Sequence, residues 1–237
     1  MDWTAYSGAL FDLDGVLTPT ADIHRKAWSE MFNSVLAKYP AARAYTDEDY
    51  FQFVDGKPRY DGVRSLLADR GITLPEGSPT DSPQDATICG LGNRKNEVFV
   101  NVLARDGIGP YQGSQRLVDA LAARRVEMAV VSSSRNADSV LRASGLRSRF
   151  DVVVDGLLAA KEGLAGKPAP DTYLRGAELL GLDPARCVVF EDAVSGVEAG
   201  AAGHFGLVVG VDRGVGAERL LASGADVVVN DLEEVIQ

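Results

Sequence analysis

Asp12 and Asp14 stand two residues apart at the end of an apolar run, Ala9-Leu10-Phe11, and Gly15 follows them directly. Read as a buried strand, residues 9–13 carry the chain to the carboxyl edge of a sheet, where open α/β folds place ligands. Period-2 alternation sends both carboxylates to one side, and Gly15 lets the backbone turn sharply behind them. Two ionised acids, each acceptor-only, suit a hard cation such as Mg²⁺. They also suit a division of labour in which one attacks and the other moves a proton. An acid at a strand end can equally cap a helix or shape a turn, so the pair takes its meaning from the rest of the chain.

Other polar groups recur at the ends of predicted strands. Residues 127–131 form an apolar run ending in Ser132-Ser133-Ser134-Arg135-Asn136, residues 187–190 another ending in Glu191-Asp192, and Lys167 lies in a loop between the two. In a parallel sheet these ends share one edge, so the expected product is a cleft with two carboxylate clusters, a hydroxyl and an ammonium. Serines ahead of a helix can hold a phosphate through hydroxyl and backbone N–H groups, or simply cap that helix. Lys167 would add a compact positive charge, unless it is an ordinary solvated lysine. Glu191 and Asp192 could likewise cap the helix that follows.

The elements that must position these groups can be read from hydrophobic spacing. Helices are predicted over residues 23–32, 47–53, 59–70 and 93–104, with a breaker-rich loop at 75–83 and Cys89 in a Gly-rich loop. Beyond residue 111, helices at 114–123, 138–144, 171–180 and 196–202 alternate with strands at 127–131, 152–154, 187–190, 206–211 and 226–229. A loop is expected from residue 155 to Lys167. The expected fold is α/β: a Rossmann-like doubly wound parallel sheet core over residues 1–20 and 107–237, with an inserted helical domain at 21–106.

A chain of 237 residues with 46% hydrophobic content can bury a sizeable core. Its formal net charge of -10 disfavours nucleic acid and anionic membranes as partners. A phosphorylated small substrate stays compatible, because a metal and a few cations can reverse the field inside one cleft. Cys89 and Cys187 lack metal-site spacing and are expected as reduced thiols. Met1-Asp2-Trp3-Thr4 has neither the basic nor the apolar region of a signal peptide, and no segment reaches the length of a membrane span. The expectation is a cytoplasmic protein. Spacing excludes a P-loop around Gly166-Lys167, since Lys161 occupies the first glycine position and Pro168 follows the lysine.

Asp12-Leu13-Asp14-Gly15-Val16-Leu17, Val131-Ser132, Gly166-Lys167-Pro168-Ala169-Pro170-Asp171 and Val189-Phe190-Glu191-Asp192-Ala193-Val194-Ser195-Gly196 resemble the four motifs of the haloacid dehalogenase superfamily, in order. The helical insertion resembles the small cap of that superfamily's β-phosphoglucomutase-like branch. Thr20 and His24 look like its Thr-x-x-x-His pair, residues 54–59 its cap loop ending in a phosphate-binding arginine, Arg59, and Arg94-Lys95-Asn96 a later cap motif. Ser134-Arg135-Asn136 is similar to its Ser-Lys-Asn stretch. The resemblance implies Asp12 as nucleophile and Asp14 as acid and base. Mg²⁺ would be held by Asp12, the Asp14 carbonyl and Asp192, with Glu191 nearby, and the phosphoryl group by Ser132 and Lys167. Thr20 and His24 would link cap closure to Asp14, and Arg59, Lys95, Ser134, Arg135 and Asn136 would contact phosphate or substrate. The implied reaction is a mutase step between C1 and C6 of β-glucose phosphate by a monomer; a phosphatase of the same branch and a non-catalytic binding module are the alternatives. Asp55 stands where the branch carries a lysine, Gly62 where a serine is common, and Arg135 replaces a lysine.

Overall fold

The computed structural model describes residues 1–236, with Asp106 described through its backbone alone. Six strands make one sheet: β1 (Gly8–Phe11), β2 (Glu127–Val131), β3 (Val152–Val154), β4 (Cys187–Glu191), β5 (Leu207–Val211) and β6 (Val227–Val229), in the order β3-β2-β1-β4-β5-β6. Every pairing is parallel. The strands are rich in valine, and β1 and β4 are buried along their whole length, as a sheet covered on both faces requires. Phe11 pairs with Val130 of β2 and Phe190 of β4, and its ring stacks on Phe190 at 4.7 Å. The strand order reverses beside β1, which makes its carboxyl end the topological switch point. The Rossmann-like α/β sheet expected from the sequence is the fold found.

The chain divides into two compact units, Met1–Pro19 with Ile108–Gln237, and Thr20–Gly107. Thr20 thus falls with the helical unit. Helices Gln112–Ala123, Ala137–Ala143, Gly156–Glu162, Asp171–Leu180, Val194–Ala202 and Ala217–Ala222 belong to the sheet unit. Two of these correct the sequence reading. The expected loop before Lys167 contains Gly156–Glu162, started by the Asp155 carboxylate accepting from the Leu157 and Leu158 amides. Ala217–Ala222 was not anticipated from the hydrophobic pattern. β1 also stops at Phe11, so Asp12 and Asp14 lie beyond the strand and do not alternate along it. They sit on a closed turn in which the Gly15 amide donates to Thr18 O at 2.8 Å and the Leu17 and Thr18 amides donate to Leu13 O.

The helical unit comprises Thr20–Leu36, Asp47–Asp49 running into a π-helix at Tyr50–Val54, Arg59–Asp69 and Ile88–Asp106. Trp28, Phe32 and Tyr45 stack in its interior, against Val63, Leu66, Leu67 and Leu91. The last helix begins at Ile88 rather than at residue 93, because the Thr87 hydroxyl accepts from the Gly90 amide at 2.9 Å. Cys89 is therefore a buried helical residue and not part of a loop. Among the described residues no helix is long and apolar enough to cross a membrane.

Candidate active site

In the sheet unit the strand ends bring Asp12, Ser132, Lys167, Glu191 and Asp192 together, all buried. Register alone sets part of this arrangement. The Asp12 amide donates to Phe190 O at 2.9 Å and the Ser132 amide to Val154 O at 2.9 Å, each continuing a ladder one residue past its strand. Glu191 is the last residue of β4 itself and not the first beyond it. Lys167 approaches from the loop, with Nζ 2.6 Å from Asp12 Oδ1 and 3.1 Å from Val131 O, and it also pairs with Glu191 Oε1. The Tyr173 hydroxyl donates to Glu191 Oε1 at 2.9 Å, and the Ala193 amide donates to Oε2 at 3.2 Å.

Two glycines make room for these acids. A Cβ on Gly15, whose φ is +91°, would run into the Asp192 carboxylate, and one on Gly196 would run into that of Glu191. Side chains at either position would push out the carboxylates that the loops enclose.

The electrostatics follow from burial and crowding. Burial pushes the Asp12 carboxyl well above its ordinary value; Lys167 opposes that shift, while Glu191 and Asp14 add to it. Burial pulls Lys167 down, but Asp12 and Glu191 outweigh it and hold the ammonium above its usual range. Tyr173 is raised by burial and then by Glu191, so it stays a hydroxyl donor. One ammonium thus faces a cluster in which oxygens of Asp12, Glu191 and Asp192 lie within 4.8 Å of one another. Buried oxygens in excess of the neighbouring positive charge form a donor set that fits a hard divalent cation.

The serine stretch is arranged as a turn. Ser132 Oγ accepts from the Ser134 amide at 3.1 Å and Ser134 Oγ from the Asn136 amide at 3.1 Å. Asn136 precedes the helix Ala137–Ala143, and Arg135 packs its stem against Gly156. Asp14 bridges to Thr18 on the turn after Asp12.

Thr20, His24, Arg59 and Lys95 all belong to the helical unit. There Lys95 is 3% exposed, with Nζ against His24 Nδ1 and over the rings of Trp28 and Phe99 at 5.0 and 5.2 Å. His24 stacks on Phe99 at 4.0 Å. Arg59 Nη2 donates to Asn96 Oδ1 at 2.7 Å, and Thr20 is buried. Sequence reasoning missed Tyr173, whose position six residues after Lys167 was the available cue.

Carboxylates at the ends of two strands and a buried ammonium, gathered at the switch point of a parallel sheet, make this cluster the candidate active site of an α/β protein. Residues 6–204 match the haloacid dehalogenase-like hydrolase family, and the chain is an enzyme of that family, in its β-phosphoglucomutase-like branch. It is 48% identical over 242 residues to the β-phosphoglucomutase of Mycobacterium bovis, covering 96% of this chain and 90% of that one. It is also 31% identical over 201 residues to the fructose-1-phosphate phosphatase of Escherichia coli, covering 83% and 92% respectively. Among solved structures, a β-phosphoglucomutase from Clostridium difficile superposes with a TM-score of 0.77 at 23% identity, covering 97% of this chain and 93% of that one. That last likeness concerns the fold.

Proposed function

We propose that this enzyme transfers a phosphoryl group on a small sugar phosphate through an aspartyl-phosphate at Asp12, and that it interconverts β-glucose 1-phosphate and glucose 6-phosphate. The observation that carries this reading is the buried contact of Lys167 Nζ with Asp12 Oδ1 at 2.6 Å, backed by Glu191. A carboxylate so placed can attack phosphorus while the ammonium beside it offsets the charge of the phosphoryl oxygens. Asp12, Asp192 and Glu191 would hold Mg²⁺, with Asp14 joining through its carbonyl, and the bound ion would supply further neutralisation of that charge.

In this reading Asp14 gives a proton to the departing sugar oxygen and later removes one from the accepting hydroxyl. Ser132 and Lys167 bind the transferring phosphoryl. The sheet unit, Met1–Pro19 with Ile108–Gln237, is the catalytic core, and the helical unit, Thr20–Gly107, is its cap. Arg59 and Lys95 of the cap, with Ser134, Arg135 and Asn136, bind the rest of the substrate, while Thr20 and His24 act with Asp14. The enzyme works as a cytoplasmic monomer.

A phosphatase of the same branch is the second reading, supported by the Escherichia coli relative, which is 31% identical. The two differ in whether water or a sugar hydroxyl takes the phosphoryl. Feeding β-glucose 1-phosphate with Mg²⁺ and trace bisphosphate separates them. Glucose 6-phosphate is the expected product; mostly inorganic phosphate would favour the phosphatase. Asp12→Asn is expected to abolish either activity, and turnover surviving in that variant would remove the aspartyl-phosphate from the mechanism.

A further inference from the structure

Three consecutive carbonyls of the turn after Asp14 are taken by donors from two parts of the sheet unit, the start of the helix Gln112–Ala123 and the segment after β5. Gly15 O accepts from Arg213 Nε at 2.8 Å, Val16 O from Ser114 Oγ at 2.6 Å and Leu17 O from the Tyr111 amide at 3.0 Å. Arg213 stands two residues after β5, outside all four motifs. Its Nη1 also donates to Asn230 O at 2.9 Å, and its Cζ lies 4.0 Å from the centroid of the Tyr111 ring. One planar cation therefore ties together the turn, the segment entering the helix Gln112–Ala123 and the end of β6. The Asp192 carboxylate fills the space where a Cβ on Gly15 would stand. Gly15 is thus held at its carbonyl and crowded at its Cα, and Asp14 is the residue directly before it.

We infer that Arg213 is a positioning residue for Asp14: its bond to the Gly15 carbonyl holds the Gly15–Val16 peptide, one link beyond Asp14, and so anchors the turn, already closed by the Gly15 amide on Thr18 O, that presents the Asp14 carboxyl. The inference rests on the acid–base role proposed above for Asp14. When a sugar phosphate reacts, an Asp12 oxygen bonds to phosphorus and the bond from phosphorus to the sugar oxygen breaks. The electron pair stays on that oxygen, which takes the Asp14 proton. With acetyl phosphate the same bond to Asp12 forms, but acetate departs as a stable anion and needs no proton. Loss of Arg213 therefore slows the first reaction and spares the second. A lysine keeps the charge but has neither the forked donors nor the plane that lies on Tyr111, so it restores the function only in part.

Arg213→Met and Arg213→Lys test this, after thermal melts establish that both are folded. Steady-state turnover of β-glucose 1-phosphate with Mg²⁺ and trace bisphosphate is compared with rapid-quench labelling of Asp12 by radiolabelled acetyl phosphate. In Arg213→Met, kcat is expected to fall about 10–100-fold with KM and the labelling rate within about twofold of wild type, since small misplacements of a reacting group cost this much. Arg213→Lys should lie between. An unchanged kcat, or an equal fall in turnover and labelling, overturns the inference while leaving the phosphotransfer reading intact. If the wild-type enzyme takes no label, or Asp12→Asn takes as much, that reading fails and the inference falls with it.

Discussion

Asp12 in the sheet unit and Asp49 in the helical unit are 7% and 1% exposed, and both meet cationic side chains, yet their surroundings shift their acidities in opposite directions. Around Asp49, burial raises the carboxyl, but Arg70 at 2.6 Å and Arg43 at 2.7 Å, with the Thr46 amide and hydroxyl, bring it below its ordinary value. Around Asp12, burial and the neighbouring Glu191 and Asp14 prevail over the single ammonium that Asp12 shares with Glu191. A carboxylate supplied with four donors is a finished structural part. One left short of positive charge is held in a state that a cation or an electrophile can relieve, which is the mark of a reactive site.

Lys167→Met should break this contrast most severely. It leaves Asp12, Glu191 and Asp192 crowded with no ammonium among them, and removing one partner of a buried pair costs about 3–5 kcal/mol. Urea unfolding at pH 7 would measure that loss, and turnover should fall by about 10³-fold, as when a strong electrostatic donor is deleted. Next comes Asp49→Asn, expected to cost about 3 kcal/mol because Arg70 is left buried with its main carboxylate gone. Turnover per folded molecule should stay at the wild-type level; a fall in kcat would blur the distinction between the two acids.

The pH dependence of that second variant sharpens the comparison. Asp49 is depressed in the folded protein, so its contribution is complete above the unfolded carboxyl value of about 3.9 and fades as pH drops through the folded one. The stability gap between wild type and Asp49→Asn should therefore be constant from pH 7 to pH 5 and close toward pH 3. Asp12 is raised, so in the metal-free protein its protonation favours the folded state instead. The smallest effect is expected for Tyr173→Phe, which deletes one donor to an ionised acceptor at a cost of about 1.5 kcal/mol. Its kcat should drop several-fold, since Glu191 then holds Lys167 less firmly; an unaltered kcat would limit Tyr173 to packing.

Much of the core was legible because the valine runs and the polar residues that end them carry both strand and site in the same few positions. Asp12, Lys167 and Glu191 could be expected at one edge from topology, though their contacts span up to 155 residues of sequence. Other features depend on neighbours that no local pattern reveals. Gly90 and Gly92 read as loop residues, yet in the helix Ile88–Asp106 they let the Asp85 carbonyl and Tyr60 approach closely. The pairing of His24 with Lys95 joins residues 71 apart, and Arg213 gave no signal because its partners are backbone carbonyls, which every sequence has. The helix Gly156–Glu162 was missed although Asp155 and Gly163 mark its ends, because seven residues show too little of a 3.6-residue period.

The central place of β1 in the sheet has a consequence for how the chain is born. Its two neighbours, β2 and β4, begin at residues 127 and 187, whereas the helical unit is contiguous from Thr20 to Gly107. At about 5–20 residues per second on the ribosome, the first strand waits roughly 10–40 s for its last partner. The helices can meanwhile collapse among themselves. Until β2 is made the tetrapeptide at residues 8–11 has no strand to pair with, and until β4 follows it remains a sheet edge.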